Sequence, residues 1–102
     1  MISAAFGEST TLNRVSVIGS NVVLQCKSSF APPWARIGPK LGQYKTLFVN
    51  GRKHPNLNDE RISFSNNRLV YKVLIKGVLA SDAGTYVCDG DQPVSYILNV
   101  IR

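Results

Sequence analysis

Several residue types and patterns are scarce in this 102-residue chain, and each scarcity excludes something. Histidine occurs once, as His54 in a polar loop. A zinc site takes about three or four nitrogen, sulfur or oxygen ligands, so no metal site is expected. Asp89-Gly90-Asp91 has two carboxylates but no further acids nearby, which makes a poor calcium site. No nucleophile stands with an evident base, so neither an enzyme nor a cofactor is expected. The Gly38–Gly42 turn lacks the Gly-Lys-Ser/Thr of a phosphate loop. No Asn-x-Ser/Thr acceptor occurs, so N-glycosylation is not expected. No apolar run approaches the roughly 18 residues of a membrane span, so direct membrane insertion of this stretch is not expected. Met1–Gly7 has no basic region and no long apolar core, unlike a signal peptide. The chain reads as a domain of a longer secreted or membrane-anchored protein, placed extracellularly.

Acid is also scarce: 6 acidic residues against 12 basic give a net charge of +6. Net charge bears on solubility and association more than on fold. It leaves open an acidic partner, such as a sulfated glycan, an anionic membrane or an acidic protein face. Nucleic acid is not expected. The basic residues are scattered from Arg14 to Arg102, with only Arg52-Lys53 adjacent, whereas nucleic-acid binders cluster them in a stripe.

What is present points to an all-β domain spanning residues 1–102. Apolar residues form 44% of the chain and charged ones 18%, a globular balance. Short apolar-alternating segments recur between turn residues, and no long amphipathic helix or internal repeat is found. Val22, Leu24 and Cys26 alternate and should share a core face. Thr11–Ile18 leads into that strand through Gly19-Ser20-Asn21. Ala31-Pro32-Pro33 is a loop, because consecutive prolines cannot donate to a ladder. Trp34–Ile37 and Lys45–Val49 follow as strands. Asn50-Gly51 is a strong hairpin signal. His54–Glu60 reads as an irregular loop or short edge strand. Arg61–Ser65 is a strand and Asn66-Asn67 a turn. Arg68–Lys76 is the longest strand, with Leu69, Tyr71, Val73 and Ile75 inward. Val78–Ala83 is a crossing segment, and Thr85–Asp89 and Ser95–Ile101 close the set. Eight or nine strands in a chain of this length make a two-sheet sandwich. Two cysteines, Cys26 and Cys88, are compatible with one disulfide, although two buried thiols would look the same.

One constellation is specific: Cys26, Trp34, Arg61 and the run Asp82-Ala83-Gly84-Thr85-Tyr86-Val87-Cys88. It resembles the variable-type immunoglobulin pattern over nearly the whole chain. The resemblance implies a Greek-key β-sandwich with one inter-sheet disulfide, Cys26–Cys88, packed on a buried Trp34. A loop of that length is worth about 4 kcal/mol on loop-closure entropy, a disputed account. It also implies a tyrosine corner at Tyr86 and an Arg61–Asp82 salt bridge. Leu41-Gly42-Gln43 followed by Leu47-Phe48-Val49 is similar to the antibody segment joining strands C and C′. The runner-up is an intermediate-type adhesion domain, which would lack strand C″. Two features depart from rearranged antigen receptors. The loop between Cys26 and Trp34 is short, and the last strand lacks a Phe-Gly-x-Gly bulge. A germline-encoded receptor or adhesion domain fits better.

Members of this family meet partners through the end loops or the outer face of strands G, F, C and C′. The end loops here are Ser28–Pro33, Arg52–Asn56 and Asp89–Pro93. With Trp34 and Cys88 inward, Ala35, Ile37 and Val87 point outward, and with Leu98 inward so do Ile97, Asn99 and Ile101. Leu47 is expected to join them. This apolar group is the candidate interface for a protein ligand or a homodimer. Arg36 is inward by the same alternation, so it must find a carboxylate or carbonyls, or the strand must be bulged. Arg68, Lys72 and Lys76 form a basic row on the other sheet. They support the alternative of an anionic-glycan-binding module, although such a row more often serves solubility; a structural spacer domain is a separate alternative.

Overall fold

A computed structural model describes residues 10–38, 44–55 and 57–102 of the chain. The expectations at Met1–Gly7, Leu41-Gly42-Gln43 and Asn56 lie outside the described residues. Among those described, nine strands form: β1 Thr10–Val17, β2 Val22–Lys27, β3 Trp34–Ile37, β4 Tyr44–Val49, β5 Arg52–Lys53, β6 Ile62–Asn67, β7 Val70–Ile75, β8 Gly84–Cys88 and β9 Val94–Ile101. One sheet runs β1-β9-β8-β3-β4-β5 and the other β2-β7-β6. All pairs are antiparallel except β1 with β9. Neighbours distant in sequence, such as β2 with β7 and β3 with β8, make Greek-key connections. This is an immunoglobulin-like sandwich.

Alternation supplies its core. Val22, Leu24 and Cys26 of β2 and Val73 and Ile75 of β7 face Trp34, Tyr86, Cys88, Tyr96 and Leu98 of the larger sheet, and all are buried. The Cys26–Cys88 disulfide joins the two layers with its Cα atoms 6.5 Å apart. Trp34 pairs directly opposite Cys88, and its ring lies 6.5 Å from that of Tyr96 at an interplanar angle of 16°.

Turn chemistry sets several boundaries. Asn50 and Gly51 adopt φ of 52° and 75°, the two left-handed positions of a tight hairpin joining Val49 to Arg52. The β6–β7 turn differs from expectation. Asn66 and Asn67 belong to β6, and Asn67 pairs with Val70. Arg68, at φ 58°, and Leu69 therefore make the turn. A turn residue has no inward side, and Leu69 is 58% exposed rather than in the core. β7 is consequently shorter than the eight-residue β1 and β9. Val78–Ala83 contains a 3-10 turn at Ala80–Asp82.

The end of the sandwich opposite the Ser28–Pro33 and Asp89–Pro93 loops is tied by a polar cluster. Arg61, just before β6, grips Asp82 with both terminal nitrogens, at 2.9 and 3.0 Å. It also donates to Asp59 at 2.8 Å and to the Gly77 carbonyl at 3.2 Å. The second Asp82 oxygen accepts the Leu79 N–H at 2.7 Å as well. Burial pushes the Asp82 carboxyl up, but its bonds from Arg61 and Leu79 outweigh that and hold it below its ordinary value. The bonds to Asp82, and then to Asp59, in turn raise Arg61. The Tyr86 hydroxyl donates to the Asp82 carbonyl at 2.6 Å, and burial pushes its pKa up to about 12. Arg36 turns inward and finds carbonyls: it donates to Ser81 O, and to Ala83 O at 2.8 Å. Its guanidinium sits 5.5 Å from the Tyr86 ring centroid.

Candidate binding face

The larger sheet builds the candidate site because each strand that turns a core residue inward must turn its neighbours out. The register gives two rows across its outer face. One runs Thr46, Ala35, Val87, Ser95, Thr11, and the other Tyr44, Ile37, Thr85, Ile97, Asn13. Val15 beside Asn99 and Val17 beside Ile101 extend the face toward its far corner. Of the described residues on these rows, none carries a charge, although the chain has 18% charged residues. Interface centres are depleted of charge and enriched in aromatics, and Tyr44 stands on this face 69% exposed.

Ala35, Ile37, Val87, Ile97 and Asn99 thus lie on one outer surface. Ala35 is only 6% exposed, because the larger neighbours Ile37, Tyr44 and Val87 stand around it. It forms the floor of a shallow depression of about 370 Å³, walled by Ile37, Tyr44, Thr46, Val49 and Val87, with Pro33 and the carboxylate-bearing Asp89 at its rim. Leu47 corrects the expectation: it is 1% exposed and packs in the core. The cause is a register shift between β3 and β4 at Trp34/Ala35, which sets Ala35 opposite Thr46 but Trp34 opposite Phe48. A bulge adds a residue to one strand, so Leu47 and Phe48 both turn inward and Val49 turns out. Tyr44, Thr46 and Val49, rather than Leu47, therefore stand on the outer face of β4. Alternation from a buried Leu47 would have found Tyr44 and Thr46. Val15 and Val17 carried no local signal, since their place depends on the parallel pairing of β1 with β9.

The end loops are held together by a small polar network. Asp91 Oδ2 accepts the Ser29 hydroxyl at 2.6 Å and the Ser29 N–H at 3.0 Å. Those bonds, the hydroxyl's first, hold the Asp91 carboxyl below its ordinary value. Buried Ser28 receives the N–H groups of Phe30 and Asp91 at 3.3 and 3.4 Å. Gly90 packs so closely that a Cβ there would lie 2.8 Å from Ser28. Asp91 is thus committed to the loops. No group of three or more potential metal-binding side chains is found among the described residues.

The basic row is spread out. Lys72 lies mid-β7, Arg68 in the turn before it and Lys76 just beyond its end. Residues four apart on a strand are about 13 Å apart, so the three do not converge on one anion. No described helix is long and apolar enough to cross a membrane. Compared with known proteins, the chain matches no family model and no curated sequence.

Proposed function

We propose that this chain is an extracellular recognition domain of the variable immunoglobulin type, from an immune or adhesion receptor, and that it binds protein through the outer face of the β9-β8-β3-β4 layer. The observation that carries this reading is the pair of uncharged rows across the outer face at the Ala35 depression, with Asp89 at its rim, on a protein of net charge +6. Exposed Ile37, Tyr44, Val49 and Ile97 supply apolar anchors, and Thr46, Thr85, Ser95 and Asn99 supply a polar surround. That is the anatomy of a protein interface. Strand β5, in the place of C″ beside β4, supports the variable type over the intermediate one, and the Arg61–Asp82 bridge is in keeping with it. The disulfide is in keeping with an oxidising, extracellular setting.

The test is staining of a panel of cells with the tetramerised domain. Tyr44→Asp and Ile37→Asp are expected to abolish staining while leaving the melting temperature within a few degrees. Staining that survives both changes but disappears with Lys72→Glu and Lys76→Glu, or after enzymatic removal of sulfated glycans, would replace this reading with the polyanion one.

A further inference from the structure

β1 is an edge strand of the larger sheet, and among the described residues nothing pairs with its outer side. At its ends, the Thr10 N–H donates to Pro93 O at 3.1 Å and the Ile18 N–H to Ile101 O at 2.6 Å. Backbone groups alternate sides along a strand, so the even-numbered residues of β1 bond to β9. The odd-numbered ones, Thr11, Asn13 and Val15, direct both N–H and C=O away from the sheet. Val17 does the same, but its carbonyl is taken by the Ser20 N–H at 3.0 Å and by the Ser20 hydroxyl.

Proteins blunt such edges with lysine, proline, bulges or short strands. Two other edges here follow that rule. β5 is two residues long and basic. On the free side of β2, the Tyr96 hydroxyl accepts the Gln25 N–H and donates to the Gln25 carbonyl, while Arg14 donates to Val23 O at 3.0 Å. β1 has none of these devices. It is eight residues long, has no proline, shows no register shift against β9, and carries Val15 61% exposed. Its one charge, Arg14, is drawn back against Val23 O and lies 5.3 Å from the Tyr96 ring centroid.

We propose that β1 pairs antiparallel with β1 of a second copy about a two-fold axis at Asn13, joining the two larger sheets into one. A two-fold axis makes the contact self-complementary. In this register Thr11 faces the second copy's Val15, Asn13 faces Asn13, and each pair exchanges both backbone hydrogen bonds. Between them Leu12, itself exposed, lies under the stem of the second copy's Arg14. Charge selects the register: moving the axis to Arg14 would set two guanidiniums directly opposite, which is destabilising. The uncharged outer faces of the two copies become continuous, because Thr11, Asn13 and Val15 already belong to that face. With +6 on each copy, long-range repulsion opposes the contact, so salt should strengthen it.

Sedimentation equilibrium over concentrations up to about the millimolar range tests this. The protein is expected to dimerise reversibly, more tightly at high salt. Val15→Pro removes an N–H that β9 does not use, and Pro is tolerated on such an edge. It should weaken dimerisation at least about 100-fold, a loss of about 2.7 kcal/mol. Thr11→Lys leaves the backbone untouched and should weaken dimerisation as well, which keeps the test decisive should the proline variant fold poorly. Asn13→Cys should form a disulfide-linked dimer on mild oxidation. A monomer at the highest concentration would overturn the proposal. So would a dimer that ignores Val15→Pro and Thr11→Lys but dissociates with Tyr44→Asp, since that would place self-association on the sheet face.

Discussion

Asp82→Asn isolates the contribution of the buried carboxylate. The Asp82 side chain is 5% exposed and accepts three N–H groups, two from Arg61 and one from Leu79. Asparagine keeps one acceptor oxygen, enough for the Leu79 N–H, but turns an amide donor toward the guanidinium. Arg61 is not orphaned, because it retains Asp59 at 2.8 Å and Gly77 O at 3.2 Å. The loss is therefore about one charge-assisted hydrogen bond, about 1.5–3 kcal/mol. The 29% exposure of Arg61 argues for the lower half of that range. For a domain of this size about 2 kcal/mol lowers Tm by about 8–16 °C. Asp59→Asn, which removes a more exposed pair, should cost less than about 1 kcal/mol. The pH dependence provides a second readout. Asp82 titrates below its ordinary 3.8 when folded, so near that pH the unfolded chain binds more protons than the folded one. Its stabilisation is complete above the unfolded value and drains away as pH falls through the lower folded value. Thermal melts by circular dichroism from neutral pH down to about pH 2 measure both effects. Asp82→Asn should flatten the acid limb. Equal costs for Asp82→Asn and Asp59→Asn, or an unchanged acid limb, would refute the argument.

Leu47→Ala should cost about 2–5 kcal/mol in chemical denaturation, as for any large buried side chain, while Ile97→Ser on the outer face should stay within about 1 kcal/mol. Equal costs would contradict the placement of Leu47 in the core and Ile97 on the outer face. Replacing both Cys26 and Cys88 with alanine should destabilise the fold by about 2–5 kcal/mol, seen as a large drop in Tm under non-reducing conditions. Gly90→Ala forces a Cβ against Ser28 and should cost about 1–3 kcal/mol, with faster amide exchange at Phe30 and Asp91. Unchanged exchange there would mean that the two loops are not coupled through Ser28.

Much of this fold is written locally in the chain. Val22-x-Leu24-x-Cys26 and Tyr86-x-Cys88 declare their inward sides because side chains on a strand alternate, and that rule needs no partner strand. Asn50-Gly51 announces its hairpin because both residues tolerate positive φ. The outward placement of Ala35, Ile37, Val87, Ile97 and Asn99 follows from the same alternation, counted from Trp34, Cys88 and Leu98. Leu47 did not yield to it, because a bulge inserts a residue and changes which neighbours share a side, and bulges arise from how two strands meet. Leu69 and the Asn66-Asn67 pair misled for a related reason: a hairpin's turn is fixed by which residues pair across it. The corner of the face at Val15 and Val17, and the open edge of β1, exist only because β1 and β9, at opposite ends of the chain, run side by side in parallel. Alternation is a property of one strand and can be read from it. Register, bulges and free edges belong to pairs of strands, and only the folded arrangement decides them.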